Sequence, residues 1–286
     1  MRTKATFAAA VLVACLWRPA FGAQDLALFD PEQGVGGFVG TRTTIDQPVA
    51  LSWGPRSGII GTVETLSLLG GNDQESVVTT FTGAISTEDG GLNRHFAVSE
   101  LSVNGHHITA TRPLVVIDGW SDTRGGNIRN LEVTFPGFIE IDIAPPVPGT
   151  PQHQLWIDTF AADLPYAADP VEFGDPIFQM EPYHRLLEAQ ARSVIANPEA
   201  DVIQNTFETH AHGIVQTEDV RALLAELSGR IEVRSGADRL IMEARGFGLI
   251  DLRSGLSSGT SRTLITAIRG GRTATRTVIT DVQFLN

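Results

Sequence analysis

Lysine is absent after Lys4, and cysteine occurs once, at Cys15, in a chain of 286 residues. The first absence excludes Schiff-base chemistry and a phosphate-loop lysine everywhere beyond the extreme N-terminus. The second excludes an intramolecular disulfide and a multi-thiolate metal site, and confines any thiol nucleophile to position 15. Basic runs are missing too: 33 acidic residues outweigh 21 basic ones, for a net charge of −12. An acidic chain without a basic stripe is ill suited to nucleic acid or to anionic lipid surfaces. Only four Trp and two Tyr are present, a thin supply for stacking against sugars. No apolar run reaches the roughly 20 residues that span a bilayer as a helix.

What the sequence does have begins with a leader. Arg2 and Lys4 precede an apolar run over 5–16, Arg18-Pro19 interrupts it, and Ala20-Phe21-Gly22 offers small residues for a cut before Ala23. This three-part pattern is that of a secretory signal peptide over 1–22, and predicts a periplasmic or secreted protein after cleavage near Gly22. The alternative is a lipoprotein, with Leu12-Val13-Ala14-Cys15 read as a lipobox. Acylation of Cys15 would then tie the chain to a membrane at roughly 0.8 kcal/mol per buried CH₂. The tether would run Cys15-Leu-Trp-Arg-Pro-Ala-Phe21, apolar where a flexible polar leash is expected, which favours simple cleavage. Membrane association is therefore expected only if Cys15 is lipidated. Export without paired cysteines suits a bacterial periplasm.

The leader holds three of the 21 basic residues and none of the 33 acids, so the mature charge is −15. That charge is uneven. From Gly229 to Asn286 there are nine Arg against five acids. Attraction between this basic end and the acidic remainder is one reading. The other is an anion-binding face, with Arg253, Arg262, Arg269, Arg272 and Arg276 as candidates for a phosphate or sugar-acid headgroup.

Along the chain, 23–143 reads as a β-rich region. Short runs rich in Val, Ile, Thr and Phe are separated by Gly70-Gly71-Asn72-Asp73, Asp89-Gly90-Gly91, Asn104-Gly105 and Arg124-Gly125-Gly126. An echo links Val63–Leu68, Val98–Val103 and Ile128–Val133, suggesting reused strand–turn units rather than a solenoid. β-units of this flavour also occur in envelope lipid-transport proteins, a likeness that transfers no site residue. A Pro-rich linker and loop follows over 144–176. The stretch 177–228 reads as helical: a helix with Pro182 in its first turn, a second capped by Asn197 with Pro198 at N1, and a third over 220–227 stopped by Gly229. From 229 to 286 strands resume as an antiparallel β-region, able to pack with 23–143 as one domain. Arg269-Gly270-Gly271-Arg272 marks its clearest hairpin. The expected fold class is α+β, mainly antiparallel β-sheet with a helical segment between two strand-rich regions.

Glu208-Thr-His210-Ala-His212 is the sharpest local motif. On a strand these three alternate residues share a face, and a carboxylate with two imidazoles suits a divalent metal such as zinc. A further ligand would come from His184, His153 or the pair His106-His107. Other matches are weaker. Gly255-Leu-Ser257-Ser-Gly259 lacks the strand–turn–helix setting of a nucleophile elbow. Glu140 and Asp142 share one strand face, as glycosidase carboxylates must, but so does any solvent face. Asp118 and Asp122 flank a polar turn.

The function expected from these features is that of an exported, non-catalytic envelope protein. It binds an apolar or amphipathic ligand, such as an envelope lipid, or a protein partner, and needs no cofactor. Two alternatives compete: a metal-dependent periplasmic hydrolase built on Glu208, His210 and His212, and a structural surface-assembly protein whose strand edges pair with copies of itself.

Overall fold

The computed structural model describes residues 41–43, 47, 49, 56–70, 73–88, 91–108, 112–122, 125–133, 149, 170–177, 180–216, 221–253 and 257–285. The leader with Cys15, the Glu140–Asp142 pair, His153 and, apart from Gly149, the Pro-rich run 144–151 lie outside them. Thirteen strands and one helix are found among the described residues. The strands are β1 (Thr41–Thr43), β2 (Arg56–Gly70), β3 (Asp73–Glu88), β4 (Gly91–Val103), β5 (His106–Ile108), β6 (Val115–Asp122) and β7 (Gly125–Val133), followed by β8 (Asp201–Asn205), β9 (Glu208–Gln216), β10 (Arg221–Ser235), β11 (Asp238–Asp251), β12 (Ser257–Arg269) and β13 (Arg272–Leu285). The helix, α1, spans Met180–Ile195.

All strands join one antiparallel sheet in the order β1-β9-β10-β11-β12-β13-β2-β3-β4-β6-β7, with β5 on β4 and β8 on β10. The β13–β2 pairing, which sets Val278 opposite Ser67 and Thr280 opposite Thr65, fuses the C-terminal strands to the N-terminal ones. Most neighbours in the sheet are also neighbours in sequence, so tight turns set much of the register. Asn104 and Gly105 turn β4 into β5 with φ of 49° and 80°, and Gly270 and Gly271 turn β12 into β13 with φ of 53° and 75°. Positive φ at both central positions matches the strands' own twist, hence Asn-Gly and Gly-Gly. Bulges interrupt the ladder at Leu224/Ala225 and Thr80/Phe81, among other places.

One face of the sheet, hereafter the inner face, is buried across most of its width. α1 covers its β10–β11 end. Leu187, Ala191 and Ile195 of the helix meet Leu227, Ile231, Val233, Leu240, Met242 and Ala244, with Phe207 and Ala200 closing the cluster. The helical spacing of three and four residues puts the first three on one stripe, and strand alternation puts the last six on one face. Farther along the order the inner face carries Val77, Phe81, Ile85, Phe96, Val98 and Leu101, each at most 8% exposed. Glycines opposite these rings are obligatory. A Cβ on Gly61 would lie 2.2 Å from the Phe81 ring, and one on Gly83 2.2 Å from that of Phe96.

The α+β expectation is overturned: the described residues are nearly all antiparallel sheet, with thirteen strands and one helix. Of the three expected helices only the first exists, as α1. Its C-terminus is a Schellman motif, in which Asn197 N–H donates to the Arg192 carbonyl at 3.1 Å and Ala196 adopts φ of 58°. Asn197 does not cap a second helix. Its Oδ1 accepts from Glu199 N–H at 3.0 Å, a local turn that feeds β8. The third expected helix is the first half of β10. Ala222-Leu223-Leu224-Ala225 has helical propensity, yet all four are at most 1% exposed because β10 is covered on both faces there and paired on both edges. A strand buried on both faces loses its alternation and cannot be told from a helix by periodicity. Gly229 continues β10 rather than stopping it, and its missing Cβ admits the backbone of Phe207, which a Cβ would approach to 2.3 Å.

Candidate functional site

Glu208, His210 and His212 do lie together on the outer face of β9. His210 is registered opposite Glu226 of β10, and His212 is the extra residue of the bulge between Leu224 and Ala225. Each imidazole already has partners. His210 Nδ1 is 2.8 Å from the Gly174 carbonyl, and its Nε2 is 3.1 Å from Glu208 Oε2. His212 Nδ1 is 3.5 Å from Glu226 Oε2, and its ring sits between those of Phe173 and Phe247, at centroid distances of 5.8 and 6.4 Å. The neighbouring segment 171–177 hydrogen-bonds to the edge of β9, Gly174 N–H to the Ala211 carbonyl and Ala211 N–H to that of Asp175, both at 2.9 Å. The two histidines thus stand where a strap crosses a sheet edge.

Of the further ligands that are described, His184 and the pair His106-His107 do not join them. His184, on α1, is 2.6 Å from the Phe207 carbonyl, and β4, which carries β5 with His106 and His107, is separated from β9 by six strands in the sheet order. Among the described residues no group of three or more His, Cys, Asp or Glu is placed to hold a metal. Ser257 opens β12 opposite Ile250, in a strand-to-strand connection. Asp118 is paired with His95 at 2.6 Å.

The five candidate arginines scatter. Arg253 lies in the turn after β11, where its N–H donates to Asp251 at 3.0 Å. Arg262 is on the outer face, opposite Arg245. Arg269 Nη2 donates to the Ile195 carbonyl at the end of α1, at 2.6 Å, which suits the negative end of a helix. Arg272 is exposed beside the hairpin turn. Arg276 points to the inner face, and there it meets an unexpected group.

Between the two apolar ends of the inner face, strands β12, β13, β2 and β3 carry buried hydroxyls interspersed with aliphatic side chains such as Val278 and Val77. Ser261, Thr263, Thr280, Thr65, Ser67 and Thr79 are each at most 4% exposed. Register explains their meeting: Ser261 pairs with Thr280, Thr280 with Thr65, and Ser67 with Glu75. Alternation then places all of them, with Arg276, on one side. Arg276 Nη2 is 2.6 Å from Ser67 Oγ and 3.7 Å from Glu75 Oε1, the latter an ion pair too long for a hydrogen bond. Burial pushes the Arg276 guanidinium down from its ordinary value, and the Glu75 charge opposes that shift. Within this belt Arg276 Nε, Glu75 Oε1, Thr65 Oγ1 and Thr79 Oγ1 are buried without a hydrogen-bond partner. Such groups are rare in native interiors, because each costs about 1–3 kcal/mol when left unmade.

Comparison with known proteins adds little to this geometry. No family model matches the chain, and no curated protein matches it. A solved structure similar to it is that of a LolA superfamily protein from Nitrosomonas europaea, 8% identical, with 82% of this chain and 86% of that chain covered at a TM-score of 0.21. A score that low carries no argument about this chain.

Sequence reasoning missed Thr65, Ser67, Glu75, Thr79, Ser261, Thr263 and Thr280. A signal existed in β13. Ala274 and Val278 alternate against Thr275 and Thr277, which assigns a buried parity, and Arg276 and Thr280 sit on that parity despite being polar. Polar residues in phase with a buried face are the anomaly to look for.

Proposed function

We propose that the protein is an exported, non-catalytic binding protein whose inner sheet face takes an amphipathic ligand from the cell envelope. The observation that carries this reading is the composition of the inner face: beside the β10–β11 end that α1 covers, an apolar region on β3–β4 adjoins a belt of buried hydroxyls around Arg276 and Glu75. A face selected only for stability would be aliphatic throughout, since buried polar groups add stability only when paired. Apolar surface with a few convergent polar groups is the usual make-up of small-molecule sites. Export follows from the signal-like leader.

The test is native mass spectrometry of the gently purified chain, with titration by the fluorescent apolar probe N-phenylnaphthylamine. A co-purifying lipid-sized mass, or saturable probe binding that a lipid extract displaces, supports the reading. A ligand-free mass together with no probe binding rejects it.

A further inference from the structure

From the belt we infer the chemistry of the ligand's polar end: a head without net charge that bears hydroxyl or similar groups able both to donate and to accept. The inference rests on the binding reading above and narrows it.

Charge balance comes first. The belt holds one cation, Arg276, and one anion, Glu75, 3.7 Å apart and both largely buried, at 15% and 20% side-chain exposure. A carboxylate or phosphate entering here would gain Arg276 but face Glu75 at close range. An ammonium would meet the reverse. In a poorly solvated site either mismatch is expensive. The compensated pair therefore selects against both ions.

Hydrogen-bonding capacity points the same way. The four unpartnered atoms are a pure donor (Arg276 Nε–H), a pure acceptor (Glu75 Oε1) and two hydroxyls that can do either, Thr65 Oγ1 and Thr79 Oγ1. Thr65 and Thr79 are 1% and 3% exposed. Thr65 pairs with Val77, which stands between Glu75 and Thr79 on the same face of β3, so both are diagonal neighbours of Thr65, at about 7–8 Å between Cα atoms. Glu75 and Thr79 stand four residues apart along β3, about 13 Å, with Val77 between them, so one small head with two or three hydroxyls serves Thr65 together with either the Arg276–Glu75 pair or Thr79. A carboxylate head offers acceptors only and leaves Glu75 Oε1 orphaned.

Three probes decide the matter with the exported chain: a fluorescently labelled monoacylglycerol, the matching fatty acid, and the matching alkylammonium. The monoacylglycerol should bind at least about tenfold tighter than either ion, in line with the cost of leaving one buried polar group unpaired. Thr65→Val with Thr79→Val should weaken the monoacylglycerol by about tenfold or more relative to N-phenylnaphthylamine, and Thr79→Ser should bind like the wild type. Glu75→Gln uncovers the Arg276 charge and should shift preference toward the fatty acid by about tenfold. A fatty acid or alkylammonium that outcompetes the monoacylglycerol on the wild type overturns the inference while leaving the binding reading intact. Equal binding of the monoacylglycerol by the wild type and the double-valine variant does the same. If that variant does not fold, the ranking of the three probes on the wild type and the Glu75→Gln shift decide instead. Failure of every probe, N-phenylnaphthylamine included, rejects the binding reading itself.

Discussion

Glu232→Gln is the perturbation whose outcome can be worked most fully from the structure. Glu232 lies on the outer face of β10, 5% exposed, under arginine side chains rather than under core residues. Its Oε1 is 2.7 Å from Arg239 and 3.7 Å from Arg234, and its Oε2 is 3.1 Å from Arg230, which also holds Glu243 at 2.7 Å. The hydrogen bond from Arg239 is the main cause that holds the carboxyl below its ordinary value. Burial opposes it, and the Arg230 hydrogen bond acts with Arg239. Two charge-assisted hydrogen bonds in a dry site would each contribute about 1.5–3 kcal/mol. Here the three guanidiniums are 34–47% exposed, and water screening reduces each pair toward the 0–1 kcal/mol of surface ion pairs. Gln keeps the shape but turns an amide NH₂ toward donors, so the expected loss is about 1–2 kcal/mol at pH 7.

The assay is urea unfolding of both proteins from pH 7 down to pH 3. A carboxyl whose folded pKa is depressed contributes stability above its ordinary value near 4.5, and that contribution is lost as pH falls through the lower folded value. The gap between wild type and variant should therefore be full at pH 7 and pH 5, and should narrow below about pH 4.5. A gap that stays constant down to pH 3, or no gap at pH 7, would refute the assignment of these bonds to the charged carboxylate.

Three further outcomes are expected. Ala196→Gly should stabilise the protein by about 0.5–1 kcal/mol in the same urea assay, because Ala196 holds φ of 58° at the end of α1, where glycine is unstrained; a loss of stability contradicts the Schellman ending. Gly229→Ala should cost about 3 kcal/mol, since its Cβ would meet the Phe207 backbone at 2.3 Å; a neutral substitution means the Thr206–Phe207 connection is not packed that closely on β10. Zinc chloride at micromolar levels should leave the melting temperature unchanged, because His210 and His212 are held by Gly174, Glu208 and Glu226. A rise of several degrees would show linked metal binding and revive the metal reading of Glu208, His210 and His212.

Legibility differed sharply between elements. The β12–β13 hairpin was readable because Gly270-Gly271 and the alternation of β13 are local facts of geometry. α1 was readable because one apolar stripe and Pro182 in the first turn speak for the same element. β10 was not, since its apolar run Ala222–Ala225 is flanked on both edges and both faces by partners that come from elsewhere in the chain. Glu208, His210 and His212 share a face because 208–216 is a strand; the helical reading of 177–228 would have made the two histidines diverge. What surrounds them, the 171–177 strap and Glu226, depends on segments tens of residues away.

By itself, the sequence determined that no lysine lies beyond Lys4 and no cysteine beyond Cys15, that one strand parity of β13 is buried, and that charge concentrates as arginine near the C-terminus. These follow from composition and short periods. Only the tertiary structure decided that Thr65, Ser67, Glu75, Thr79, Ser261, Thr263, Arg276 and Thr280 meet, because β13 must first pair with β2 across some two hundred residues of chain. A one-residue slip in that register would turn the β2 and β3 members of the belt to the opposite face. Pairing of distant strands is fixed by the packing of the whole sheet, and no local pattern encodes it.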